Sequence, residues 1–133
     1  MTIFHVRDWD NVYETAETRK RKFLHWTPLP NKFDGSKYTE LVDCPTGVEH
    51  YAAWCAVLSI ASRADQARRG YLLKGDGTPH TAVSLARMTR LPERVFLEAI
   101  PKLVALGWLE ECDSLSAATP ADDAATSALN RTV

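Results

Sequence analysis

Long apolar runs are missing from this sequence. The longest apolar-leaning stretch, Tyr51 to Ala61, is about half the length a membrane-spanning helix needs. The N-terminus also lacks the basic, apolar and small-residue succession of a secretion signal. A cytoplasmic location without a membrane partner is therefore expected. Cysteine is scarce: Cys44, Cys55 and Cys112 are odd in number and show neither CxxC nor Cys/His ligand spacing, which leaves a disulfide framework and a structural zinc site unsupported. The sequence shows no glycine-rich phosphate loop, no nucleophile beside a supporting base and no carboxylates clustered at chemically meaningful spacing. An enzyme is not expected, nor a cofactor or a metal. His5, His25, His50 and His80 fall in different predicted elements and form neither a dyad nor a ligand set by spacing.

A strong field of one sign is lacking as well, although the near-zero net charge conceals a partition. Residues 1–46 carry seven charges of each sign, residues 47–109 carry eight basic against five acidic, and residues 110–133 carry one basic against five acidic. The bias of the middle segment permits nucleic-acid binding without demonstrating it. With 133 residues, 45% hydrophobic and 25% charged, one globular domain with a modest core is the default.

Along the chain, Ile3 to Trp9 reads as a short strand or extended arm. The run Arg19-Lys20-Arg21-Lys22 reads either as a solvated loop or as an arm that contacts phosphate and releases condensed counterions. Phe23 to Pro30 reads as a strand passing into a segment stiffened by two prolines. Tyr38 to Val42 suits one or two helical turns, and Cys44-Pro45-Thr46-Gly47 marks a boundary. From Val48 to Arg69 an apolar stripe of Tyr51, Trp54, Cys55, Leu58 and Ala61 predicts a helix closed by Arg68-Arg69-Gly70. Tyr71 to Leu73 suits a short strand. Thr81 caps a helix over Ala82–Thr89, and Pro92-Glu93 open another that Gly107 ends. Pro101 predicts a kink or an early end in that helix. Trp108-Leu109-Glu110 suits a closing strand, with Cys112 to Leu115 the candidate for a short or incomplete wing. The Trp side chains are expected mostly in the core. The stretch from about Leu115 onward is too poor in bulky apolar residues to order itself.

Helix, short strand, helix, three-residue turn, helix and short strand is the order of a winged helix-turn-helix. The fold class expected is mainly α with short β elements (α+β): an N-terminal strand and arm (1–46), a winged helix-turn-helix (47–113) and an acidic tail (114–133). Val83-Ser84-Leu85-Ala86-Arg87-Met88-Thr89, Leu91-Pro92-Glu93 and Ala99 to Glu110 resemble the winged-helix N-terminal domains of phage and DnaD-like replisome organiser (replication initiation) proteins. Trp26, Pro28, Pro30, Lys32, Asp34 and Gly35 are similar to the phage members, and the resemblance covers residues 3–110. It implies a role in initiating replication through origin DNA or self-assembly. The C-terminal region that engages helicase-loading partners in longer relatives has no counterpart here, so the chain reads equally as a whole protein or a fragment.

The candidate DNA contacts are Arg19, Lys20, Arg21, Lys22, Lys74, Arg87, Arg90, Arg94 and Lys102. Arg94 suits either a bidentate contact with guanine or a pair with Glu98 four residues on. The third helix turns two acids and two bases outward, Glu93, Glu98, Arg94 and Lys102, which weakens base reading. The alternative is a protein-assembly module on the same scaffold, with self-association or a replication-protein partner.

Overall fold

The computed structural model describes residues 2–30, 33 and 35–113. The expected tail, 114–133, lies outside the described residues, as do Lys32 and Asp34. The architecture is mainly helical with a small two-stranded antiparallel sheet. In chain order the elements are β1 (Ile3–Val6), α1 (Trp9–Val12), α2 (Ala16–Arg19), α3 (Ser36–Val42), α4 (Gly47–Arg63), α5 (Ala82–Thr89), α6 (Glu93–Leu106) and β2 (Leu109–Cys112).

The strand β1 buries Ile3 and Val6 and pairs with β2 from Ile3↔Cys112 to Val6↔Leu109. Its other edge meets the segment after α4: Val6 N–H donates to the Gly70 carbonyl (2.7 Å) and Leu72 N–H to the Phe4 carbonyl (2.9 Å). The N-terminal strand thus lies between β2 and the segment after α4. Tyr71 to Leu73 forms only isolated bridges, Tyr71 to His5 and Leu73 to Pro79. The Lys74 N–H bonds the Thr78 carbonyl (2.8 Å), closing a tight loop whose turn has Gly77 at φ 88°.

Local signals explain α5 and α6. Thr81 accepts from the Ser84 N–H, and Ser84 Oγ accepts in turn from the Thr81 N–H, so two otherwise unpaired donors of the first turn are satisfied. Arg90 turns the chain at φ 66°, Pro92 caps α6, and Gly107 ends it at φ 81°. The helix α6 runs through Pro101 to Leu106 and does not end early. Pro101 lies on the exposed face, where water can serve the Leu97 carbonyl that lacks a donor.

Two other expectations are corrected. The helix α4 stops at Arg63, not Arg69, because Ala64 is extended and the Asp65 carbonyl closes a separate turn onto the Arg68 and Arg69 N–H groups. No strand forms over residues 23–30, where Phe23, Trp26 and Leu29 face solvent. The strand β2 has β1 as its partner; any returning strand beyond Asp113 falls outside the described residues.

The core joins Val6, Trp9, Leu41, Leu58, Leu72, Leu85, Phe96, Leu103 and Leu109 into one cluster, each at most 1% exposed. Trp9 stacks on Tyr13 with ring centroids 5.0 Å apart. Trp54 is buried and packs on half-buried Trp108, whereas Trp26 is 85% exposed.

Candidate nucleic-acid interface

The candidate site is built on a buried ion pair. Arg69 Nε donates to Glu14 Oε2 at 2.7 Å, and neither side chain is exposed. Trp9 Nε1 (2.8 Å), Thr18 Oγ1 (2.7 Å) and Arg19 Nη1 (3.0 Å) also donate to this carboxylate. Burial by itself would raise the Glu14 carboxyl. The hydrogen bonds from Arg69, Thr18 and Trp9 and the charge of Arg19 outweigh it and hold the group below the ordinary carboxylate value. The remaining Arg69 donors take the carbonyls of Thr18, Arg21 and Lys22. The backbone of the basic run is therefore fixed from inside, and the side chains of Lys20, Arg21 and Lys22 point outward. Arg19 differs from its neighbours, since Glu14 and Asp10 engage it.

Lys22 and Phe23 then form one wall of an open cleft of about 510 Å³. The other walls are the end of α4 with Arg63, the turn carrying Asp65 and Arg68, the loop with Lys74 and Gly75, and His80 and Met88 beside α5. Among the described lining residues four cations meet one carboxylate, Asp65, while Asp76 in the adjoining loop feels the charge of Lys74. Arg63 reaches Met88 Sδ (3.6 Å) and Arg68 the Gly75 carbonyl (3.4 Å), contacts that leave their charges uncompensated. Asp65 Oδ1 is buried and has no hydrogen-bond partner among the described residues. Burial first, and then the charges of Lys74 and Arg63, hold His80 below its ordinary value. The imidazole shares a hydrogen bond with Ser84 Oγ at 2.9 Å and adds no charge at neutral pH.

The sequence-predicted candidates divide between two sides of this arrangement. Lys22 and Lys74, distant in sequence, come together in the cleft. Arg87 and Arg90 are exposed at the α5–α6 turn, with no ion pair or side-chain hydrogen bond among the described residues. Arg94 makes no direct ion pair with Glu98 but stays about half exposed: its two Nη atoms donate to the two Glu49 oxygens, both at 2.9 Å. That pair lowers the Glu49 carboxyl and raises the Arg94 guanidinium. Lys102 donates to Cys44 Sγ at 3.0 Å, and Glu98 lies 3.3 Å from His50 Nε2. One polar edge of α6 is thus occupied by the α3–α4 corner. Its open face shows Glu93, Leu97 and Pro101.

Arg63, Phe23 and Glu14 were not singled out by the sequence, and Arg68 and Arg69 were read only as a helix end, not as site residues. The stripe on α4 runs out after Ala61, and that was the available signal that Arg63 to Arg69 leave the helical pattern. The histidine–carboxylate contacts, His5 to Glu110 at 2.8 Å and His50 to Glu98, join residues 105 and 48 positions apart. No group of three or more His, Cys, Asp or Glu among the described residues is placed to hold a metal ion, and no described helix is long and apolar enough to cross a membrane. Comparison with protein-family models, characterised proteins and solved structures finds no match to this chain.

Proposed function

We propose that the chain is a nucleic-acid-binding module on a winged-helix scaffold, of the kind found at the N-terminus of phage and DnaD-like replisome organiser proteins. The element order supports the scaffold, with α4, the loop at Leu73–Pro79, α5, a short turn, α6 and β2 in succession. The observation that carries the binding reading is the cleft, where Lys22, Arg63, Arg68 and Lys74 converge and Asp65 is the one carboxylate among the described lining residues, with Asp76 close to Lys74 in the adjoining loop. Phosphate oxygens are the natural ligands of such a cluster, and each phosphate neutralised releases counterions. The helix α6 is poorly suited to reading bases, because Arg94 and Lys102 are held by Glu49 and Cys44 and its open face is acidic and apolar. Binding is therefore to the backbone, with little sequence preference.

The test is fluorescence anisotropy with labelled random-sequence DNA across a salt series. Four neutralised phosphates give a slope of log affinity against log salt of about −3.6 on duplex or about −2.8 on a single strand. Absent or salt-insensitive binding contradicts the proposal. A second reading, a protein-assembly module, is favoured by the exposed Val48 (75%) and Leu97 (59%) beside the Glu49–Arg94 pair. Under that reading Leu97→Asp converts an oligomer to a monomer in sedimentation velocity and leaves DNA affinity unchanged. A wild-type chain that is already monomeric removes it.

A further inference from the structure

We infer that the ligand of the cleft is a single-stranded nucleic acid whose bases stack on Phe23 and Trp26, an inference that rests on the binding reading above. The first ground is shape. A protein reads a duplex by placing a convex element in a groove about 12 Å wide, and the convex candidate here, α6, shows acidic and apolar side chains. The cluster of Lys22, Arg63, Arg68 and Lys74 lines a concavity, and its 510 Å³ falls in the range of about 300–1,000 Å³ that holds small ligands. Such a space admits one or two nucleotides and excludes a double helix.

The second ground is the aromatic side chains. Phe23 lines the cleft itself, 55% exposed, with Lys22 Nζ 5.8 Å from its ring centroid. Trp26, three residues on, is 85% exposed. At most about 11 Å of chain separates the two Cα atoms, a span of up to about three nucleotides at about 3.4 Å spacing. An exposed ring on a cation-lined wall, followed three residues along the chain by a second exposed ring, supplies the two parts of a sequence-tolerant single-strand site, in which phosphates follow the charges and base faces cover the rings. A duplex offers no such faces, because its bases already stack on one another.

The geometry also fixes where the track starts. Arg69, itself buried by Glu14, holds the carbonyls of Arg21 and Lys22, so Phe23 follows a clamped backbone. Beyond Trp26, Pro28 and Pro30 stiffen the chain, which limits the entropy lost when a base is bound.

The experiment measures anisotropy of a labelled oligothymidylate and a random-sequence duplex of equal length, at one low salt concentration, against the full chain and its Phe23→Ala, Trp26→Ala and Trp26→Phe variants. Both side chains are largely solvent-exposed, so folding should survive, and circular dichroism checks that it does. The expected result is tighter binding of the single strand. Trp26→Ala should then lose about five- to a hundredfold on the oligothymidylate, duplex affinity should stay unchanged, and Trp26→Phe should recover most of the loss. Equal affinity for both forms, with both alanine variants neutral, overturns the stacking inference and leaves the phosphate reading standing. No binding of either form removes both. A Trp26→Ala variant that leaves nucleic-acid affinity untouched but dissolves an oligomer assigns the aromatic segment to a protein partner and also overturns the inference.

Discussion

Replacing Arg69 by Met tests the buried pair on which the placement of the basic arm depends. Glu14 and Arg69 have no exposed side-chain surface, and removing one member of such a pair leaves a buried charge, at a cost of about 3–5 kcal/mol. Trp9, Thr18 and Arg19 still donate to Glu14 after the change, so Arg69→Met belongs near the lower end, about 3 kcal/mol. For a domain of this size that is a fall in Tm of about 10–20 °C. The double variant Glu14→Leu/Arg69→Met should recover much of the loss, because no charge is then left alone. The pH dependence follows from the same site. The folded-state carboxyl of Glu14 lies below its ordinary value of 4.5, so below that pH the unfolded chain takes up the proton first. The contribution is present above the ordinary value and is lost as pH falls through the folded-state value. Urea unfolding at pH 7 and at acid pH, with Glu14→Gln as the control lacking this titration, measures both effects. An Arg69→Met variant within about 0.5 kcal/mol of wild type would refute the reasoning.

Three further outcomes are expected. Gly70 adopts φ +94°, and a Cβ there would stand 2.7 Å from Trp9 Cγ; Gly70→Ala should therefore destabilise by at least about 1–3 kcal/mol in urea unfolding, and a neutral result would contradict the packing. Thr81→Ala removes the cap of α5 and should cost about 1 kcal/mol, read as a lower urea midpoint; an unchanged midpoint would show that the cap is not stabilising. His80, held down by burial and then by Lys74 and Arg63, should move upward when phosphate offsets those charges, so affinity should rise as pH falls through its titration range. In the free protein the same depression means that stability falls as pH drops below the ordinary value of 6.5. A His80 NMR titration that is identical with and without oligothymidylate would place the ligand elsewhere.

The legible parts of the fold are those set by neighbours in sequence. Thr81 and Ser84 cap α5 across three residues, Gly107 ends α6 through its own backbone freedom, and the short apolar segment after Thr2 becomes β1. The illegible parts depend on distant partners. The helix α4 stops early and Arg69 turns inward to a carboxylate 55 residues away, a tertiary interaction that periodicity does not contain. Phe23 to Pro30 has strand-like composition but pairs with no strand among the described residues. Arg94 prefers Glu49, 45 residues back, over Glu98 one turn on, so the helix that looked like the reader of bases loses its cation to the α4 terminus. For the site, Lys22 and Lys74 were visible as charges, but their meeting with Arg63 and Arg68 required the fold.

The cleft, and not α6, is the proposed seat of the nucleic-acid backbone. The most direct measurement is the salt dependence of oligothymidylate affinity for wild type, a Lys22→Ala/Arg63→Ala/Lys74→Ala variant and an Arg94→Ala/Lys102→Ala variant. The predicted result is a slope reduced by about 2 in the first variant, with the second close to wild type. The contrary result, with the cleft variant unchanged and the α6 variant impaired, would return the site to α6 and contradict the account.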